Sequence, residues 1–412
     1  MKFFLLLFSL IAFAFFSGCS GSERFTKKEN EIKVISVSNE VRLLIDEAAN
    51  EIEILIGSRC FLLTEEEKKE LINSGQILSF AALNNNLTLK INEKNYEAEY
   101  FQLIPFDSTQ FLIYNEMKLR GKLKIINNSN SVMMVNSLDL ESYLKGVIPK
   151  EMPLGKNKEN YEALKAFAIC ARTYSLQQLN SKKYFDLYID VRDQVYGGVD
   201  VEKPISNSAV DETKSLILTY DGRPAKVFYH STCAGKTEDV KNIFGIDSAY
   251  YLSGVEDGNN PYCSISPSFN WEEVYTPEVF IERLKNANLV NDDSDVLEKC
   301  FIVSRFESGR VNELRIDLSN SQTGEITSVI LQGNNIRSII RTANNKSILK
   351  SIWFDITLDE NKNVIITGKG YGHGVGLCQW GAIGQSRAGK NYKEILSHYF
   401  PGTKISYLND KN

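Results

Sequence analysis

From residue 31 to 136 apolar and polar positions alternate in short runs: EIKVISV, VRLLI, EIEILIG, LTLKI, FLIYN, KLKII and SVMMVN. Successive side chains on a strand point to opposite faces, so this period of two predicts strands with one buried face. Polar clusters such as Asn127-Asn128-Ser129-Asn130 predict the tight turns between them. Near Ser137 the period becomes helical, with Leu140, Tyr143, Leu144 and Val147 behind a Ser/Asp start. This helix is expected to end at Pro149, leaving Lys150 and Glu151 in a stiff extended turn bracketed by Pro149 and Pro153. Residues 161 to 179, YEALKAFAICARTYSLQQL, place Leu164, Phe167, Ala168, Ala171 and Tyr174 on one face and predict an amphipathic helix. Strands KSLILTY and AKVFYHS flank Asp221-Gly222, a hairpin signal that puts His230 and Ser231 at or just past a strand end. Residues 285 to 300 are polar and read as an inserted loop. Strands and one short helix follow from 301 to 366, ahead of the glycine-dense GKGYGHGVGLCQWGA. The fold class expected is α+β: a β-rich N-terminal region over 31–136 against a mixed α/β core over 137–405, with 406–412 as a tail.

The first residues change the picture. Met1-Lys2 and FFLLLFSLIAFAFF form a short cationic start and an apolar stretch of signal-peptide length, too short for a typical membrane span. The stretch ends in Phe16-Ser17-Gly18-Cys19, which resembles a bacterial lipobox in which Cys19 takes the lipid. Residues 1–19 are therefore expected as a lipoprotein signal peptide and 20–30 as a polar tether. The mature protein is expected to be exported and membrane-anchored, facing the periplasm or cell wall. Cleavage near Gly18 without lipid is the plainer alternative. A formal net charge of −5 without a block of like charge argues against a nucleic-acid partner.

Chemistry-bearing residues are few. The chain has three histidines: His230 in YHSTCAGKTE, His373 in GYGHGVGLCQWGA, and His398 in HYFPG. A lone histidine is commonly structural. Beyond Cys19, six cysteines remain at irregular spacing (Cys60, Cys170, Cys233, Cys263, Cys300 and Cys378), which does not read as a disulfide framework.

Four segments in this order resemble the stage II sporulation protein D and LytB family: YLKGVIPKEMP, EALKAFAICARTYSL, FYHSTCAGKTE with SGVEDGNNPYCSISPSFNW, and GKGYGHGVGLCQWGA. The resemblance runs from about residue 31 to 405 and makes 137–405 the catalytic core. It implies a lytic transglycosylase that cuts the β-1,4 bond between N-acetylmuramic acid and N-acetylglucosamine in peptide-stripped peptidoglycan, forming 1,6-anhydro ends. The family's acid is the glutamate of its P-x-E-M-P motif, here Glu151. Hydrolytic glycosidases need two carboxylates to manage acid, base or nucleophile and water. In this reaction the C6 hydroxyl of the sugar is the nucleophile, so one glutamate can serve as acid and then base.

The resemblance also implies a glycan-binding cleft lined from Arg172, Thr173 and Tyr174, from His230, Ser231 and Gly235, and from His373, Gly374 and Gln379. Arg172 would bind a lactyl carboxylate or anchor its helix through an ion pair. The glycines would allow close approach to sugar, or would serve a tight turn. Cys233 and Cys263 match positions where some relatives carry cysteine, which leaves open a disulfide or, with His230, a structural zinc site; Cys378 stands where serine is usual. No organic cofactor is required. Two rival readings remain: a non-catalytic glycan-binding enhancer of a cell-wall amidase, and a zinc amidase requiring His230, Cys233, His373 and Cys378 to converge.

Overall fold

The computed structural model describes residues 35–410 except 38, 67–68, 92–93, 108, 248, 258–259 and 291–294. The signal peptide, the lipobox Cys19 and the tether lie outside the described residues. The fold is α+β and rich in strands, as the alternating pattern predicts. Among the described residues, no helix is long and apolar enough to cross a membrane.

Most of the N-terminal runs form two sheets, while Leu112–Tyr114 pairs only with Met117–Leu119 and Ile35–Val37 joins the C-terminal strand. A seven-stranded sheet runs in the order Leu187–Tyr188, Glu40–Ala48, Ser131–Asp139, Lys122–Asn128, Tyr100–Pro105, Cys60–Leu63, Lys69–Ile72; a four-stranded antiparallel sheet runs from Glu51–Leu55 through Ile77–Leu83 and Asn86–Ile91 to Lys94–Ala98. Alternation does the work here: in Glu51–Leu55, Ile52 and Ile54 are buried while their neighbours face water. The expected boundary at 136/137 falls inside the strand Ser131–Asp139. That strand feeds directly into the helix α1, Leu140–Glu151, whose N-cap Asp139 accepts a hydrogen bond from Ser142 N–H at 3.0 Å.

Three local expectations are corrected. Pro149 lies inside α1, and Glu151 is the last helical residue; the extended residue is Met152 (φ −128°, ψ 132°), which directly precedes Pro153. Proline is tolerated in this last turn because it removes only one hydrogen bond before the helix stops. Residues 285–300 are not all loop: the helix Pro277–Asn286 takes 285–286 and the strand Asp295–Arg305 takes 295–300. The supposed tail from 406 to 410 belongs to the strand Lys404–Asp410, which lies between Leu216–Tyr220 and Ile35–Val37.

The helix α2, Tyr161–Gln178, is buried nearly all round rather than on one face. A helix surrounded on every side must have its polar groups satisfied internally. Arg172, 0% exposed, meets this by a two-pronged pair with Glu141 (Nε to Oε1 2.9 Å, Nη2 to Oε2 2.6 Å) and by donating Nη1 to Leu216 O at 2.9 Å. Glu141 Oε1 also accepts Ser215 N–H at 3.1 Å. This pair joins the first turn of α1 to α2 and to the strand Leu216–Tyr220.

A second apolar core is built entirely between Trp271 and Ile366. It belongs to a module of two three-stranded sheets and the helices Pro277–Asn286 and Asn335–Ile340, inserted between Cys263 and the glycine-dense segment.

Breaking a buried pair from one side strands the other charge. Glu141→Ala is expected to lower unfolding free energy by about 3–5 kcal/mol, read as a lower urea midpoint at unchanged slope. An unchanged midpoint would show that Arg172 finds water or another partner.

Candidate active site

Glu151, half-buried at the end of α1, is held by two segments distant in sequence. Its Oε1 accepts the backbone N–H of Val195 at 2.7 Å. Gln379 donates from Nε2 to Glu151 O at 2.9 Å and to Oε2 at 3.3 Å. Desolvation raises the Glu151 pKa above the ordinary carboxyl value, opposed by the hydrogen bonds from Val195 and Gln379. The carboxyl thus holds its proton to higher pH than an exposed glutamate, while two donors stand ready for its ionised form.

The loop that brings Val195 carries groups the sequence reasoning missed. Asp193 Oδ1 accepts Tyr174 O–H at 2.8 Å, its Oδ2 accepts Tyr188 N–H at 2.8 Å, and its carbonyl accepts Tyr229 O–H at 3.3 Å. Next to it, Gln194 Oε1 accepts Tyr143 O–H at 3.2 Å and Ser175 O–H at 2.9 Å. Burial raises the pKa values of Tyr143, Tyr174 and Tyr229, and the Glu151 charge contributes in the same direction. The phenols therefore remain neutral hydrogen-bond donors around Glu151. The only sequence hint was the run Asp190-Val-Arg-Asp-Gln-Val-Tyr-Gly-Gly, with several polar groups ahead of a glycine pair.

Of the candidate substrate contacts, Gln379 and Tyr174 belong to this network; Arg172 and Thr173 do not. Arg172 is spent on Glu141. Thr173, also buried, donates to Ile169 O at 2.7 Å and accepts Leu218 N–H at 2.9 Å. Both fix α2 in place and are unavailable to a glycan. The glycines of the 370s approach protein: a Cβ on Gly374 (φ +88°) would lie 2.8 Å from the Arg310 guanidinium, and one on Gly376 (φ +73°) 2.2 Å from Phe228 O. Gly374 is a tight-turn residue rather than sugar wall. Gly235 (φ +109°) likewise turns the chain, its carbonyl accepting Asp257 N–H at 2.9 Å.

His230 and His373 lie with ring centres 5.6 Å apart. Burial pulls the His230 pKa well below the usual value, with His373 and Arg310 adding to it; His373 is pulled down to about 3 by burial and Arg337. His230 Nδ1 contacts Val375 O at 3.1 Å, while His373 Nδ1 accepts Val375 N–H at 3.0 Å. His230 pairs with Cys378 in a short parallel bridge, which sets Gln379 as the next residue and opens its helix, Gln379–Arg387. Ser231 O accepts Trp380 N–H at 3.0 Å and supports the same turn. Cys378 is the N-cap: its sulfur accepts Gly381 N–H at 3.2 Å and Cys233 N–H at 3.2 Å, the role open to a serine hydroxyl there.

Behind Gln379 lies a buried thiol cluster. Cys233 and Cys263 are free thiols 3.6 Å apart, and Cys233 Sγ donates to Asp257 Oδ2 at 3.3 Å. Asp257 Oδ1 takes His398 Nε2 at 2.9 Å and Tyr399 O–H at 3.2 Å, which gives His398 a structural partner. Contacts with the Cys233 and Cys378 sulfurs lower the Cys263 pKa, opposed by burial. Ligand atoms of His230, Cys233 and Cys378 lie within 4.8 Å of one another, as do those of Cys233, Asp257 and Cys263. His230 Nε2 is buried with no partner. Soft thiolates with an imidazole or carboxylate are a donor set that suits zinc. His373 belongs to neither group, so the four ligands of a zinc amidase do not converge among the described residues.

The family model described as Stage II sporulation protein matches residues 128–220, which contain Glu151, Asp193 and Val195. A domain of unknown function (DUF8618) matches residues 238–376, which hold the inserted module. An uncharacterized protein of Brachyspira hyodysenteriae is 31% identical over 389 residues, covering 93% of this chain and 97% of that protein. A Bacillus subtilis protein named amidase enhancer is 29% identical over 296 residues, and the match spans 64% of this chain but only 40% of that protein. The stage II sporulation protein D of Bacillus subtilis is 27% identical over 289 residues, covering 66% of this chain and 76% of the relative. With these matches and the motifs around Glu151 and Gln379, the chain belongs to the stage II sporulation protein D family.

Proposed function

We propose that this protein is an exported lytic transglycosylase that cleaves the β-1,4 bond between N-acetylmuramic acid and N-acetylglucosamine in peptide-stripped peptidoglycan. Family membership supports a cell-wall role. The observation that carries the reading is the state of Glu151: a desolvated carboxyl with raised pKa, faced by two donors aimed at its oxygens. Asp193, on the same loop as Val195, has both oxygens engaged by Tyr174 and Tyr188. A single working carboxyl fits a reaction whose nucleophile belongs to the substrate.

In that reaction neutral Glu151 gives its proton to the glycosidic oxygen as the bond to C1 breaks. The carboxylate so formed is stabilised by the Val195 N–H and the Gln379 amide. It then takes the proton of the C6 hydroxyl as that oxygen bonds to C1, which closes the anhydro ring and restores neutral Glu151. The thiol cluster offers two donor sets that suit a zinc ion, His230 with Cys233 and Cys378, or Cys233 with Asp257 and Cys263; such an ion would clamp the loops behind Gln379, and no step of cleavage passes through it. Residues 1–19 support export and lipid attachment at Cys19.

A second reading rests on the relative named amidase enhancer: a glycan-binding partner of a cell-wall amidase with no chemistry of its own.

Denuded glycan strands incubated with protein lacking residues 1–19 are expected to yield anhydromuramyl ends by mass spectrometry, and Glu151→Gln to lower the rate by about 10²–10⁴-fold. Binding without cleavage by both proteins would replace this reading with the enhancer. Cleavage should be full on the acid side and fall as pH rises through the raised pKa of Glu151, because the acid form is the one that starts the reaction. Gln379→Leu removes a donor that favours the carboxylate. Its pKa should rise further and the alkaline limb of the pH–rate profile should move to higher pH, with a lower plateau; a limb that moves down would show that Gln379 does not act on Glu151.

A further inference from the structure

The inserted module carries a cavity of about 440 Å³ lined by residues of the helices Pro277–Asn286 and Asn335–Ile340 and of the turn after the second. That volume is in the range of small-ligand sites. Two guanidinium groups line it, Arg283 and Arg341, with Asn286, Ser338 and Asn345 as neutral polar neighbours. Arg283 is 5% exposed, donates Nη2 to Ala343 O at 3.2 Å, and leaves its Nε buried with no partner. Arg341 is held by Asn345, through Nε to Oδ1 at 2.5 Å and Nη2 to the carbonyl at 3.0 Å.

Neither guanidinium forms an ion pair with a described residue. Glu273, on the adjoining strand, takes Ala343 N–H at 2.9 Å instead. A buried cation without a counter-charge is strongly unfavourable, and a second cation lining the same cavity makes it worse. An anion entering the cavity would relieve both, and guanidinium matches the geometry of carboxylate and phosphate oxygens. We propose that this cavity is a binding site for an oxyanion, the phosphate or carboxylate group of a small molecule. The site stands apart from the reading of Glu151, since none of its residues contacts Glu151, Val195 or Gln379.

The test is calorimetric titration and thermal melting of the full chain in detergent, with inorganic phosphate and sodium acetate as probes and sodium chloride at matched ionic strength as control. At least one probe is expected to bind with a dissociation constant below about 10 mM and to raise the melting temperature beyond the chloride control. Binding should weaken by about tenfold in Arg341→Gln, whose guanidinium lies toward the surface, and in Arg283→Gln. Phosphate alone would identify a phosphate ligand, acetate alone a carboxylate, and both an unselective oxyanion site. The proposal is overturned if neither probe acts beyond chloride, or if Arg341→Gln binds as tightly as the parent chain. Should Arg283→Gln not fold, Arg341→Gln decides.

Discussion

The structure around Glu151 depends on how the fully buried guanidinium of Arg172 is paired. The two-pronged contact with Glu141 fixes the start of α1 against α2, and the bond to Leu216 O ties both to the strand Leu216–Tyr220. Glu151 ends the same helix. Its position relative to α2 is therefore set at one end by this pair and at the other by Val195 and Gln379. A stiff rod held at both ends places its terminal side chain better than a loop would.

The site works by balancing opposing effects. Taking Glu151 out of water favours the neutral acid; Val195 N–H and the Gln379 amide favour the anion. Either influence alone would fix one protonation state. Together they set a carboxyl under opposing influences, as the proposed role of a single acid and base requires. Tyr174 and Tyr229 contribute indirectly, by gripping Asp193 and so holding the loop that supplies the peptide N–H.

Much of the fold was legible because its rule is local. The strands between residues 40 and 136 show themselves through alternation, and Asp221-Gly222 gave the turn of the hairpin where Thr219 faces Pro224, although its second strand is the short Arg223–Pro224 and not AKVFYHS, of which Tyr229–His230 pairs with Leu377–Cys378. The first half of the strand Asp295–Arg305 was hidden because a register shift between Leu297 and Lys299 breaks its period of two. Of the site, Glu151 and Gln379 were readable from motifs. Val195 was not: it acts through a backbone N–H, which every residue but proline has, across 44 positions of sequence. Arg172 was readable in one respect only, since an arginine inside AFAICARTYSL needs a partner, but nothing in the pattern chose Glu141 over a substrate carboxylate.

Arg310 is one tie between the inserted module and the loops behind the site. Arg310 directly precedes the strand Val311–Asn320 of the inserted module, and its Nη2 donates to Cys233 O and to Lys236 O, each at 3.0 Å, while its guanidinium fills the space that a side chain on Gly374 would need. Ser308, two residues earlier, bonds Glu238. These contacts fix the loop that carries Cys233, whose N–H meets the sulfur of Cys378. Cys378 caps the helix that begins with Gln379, and Gln379 holds Glu151. The protonation balance at Glu151 is thus anchored from both cores: through Arg172 at the start of α1, and through Arg310, the thiol cluster and Gln379 at its end.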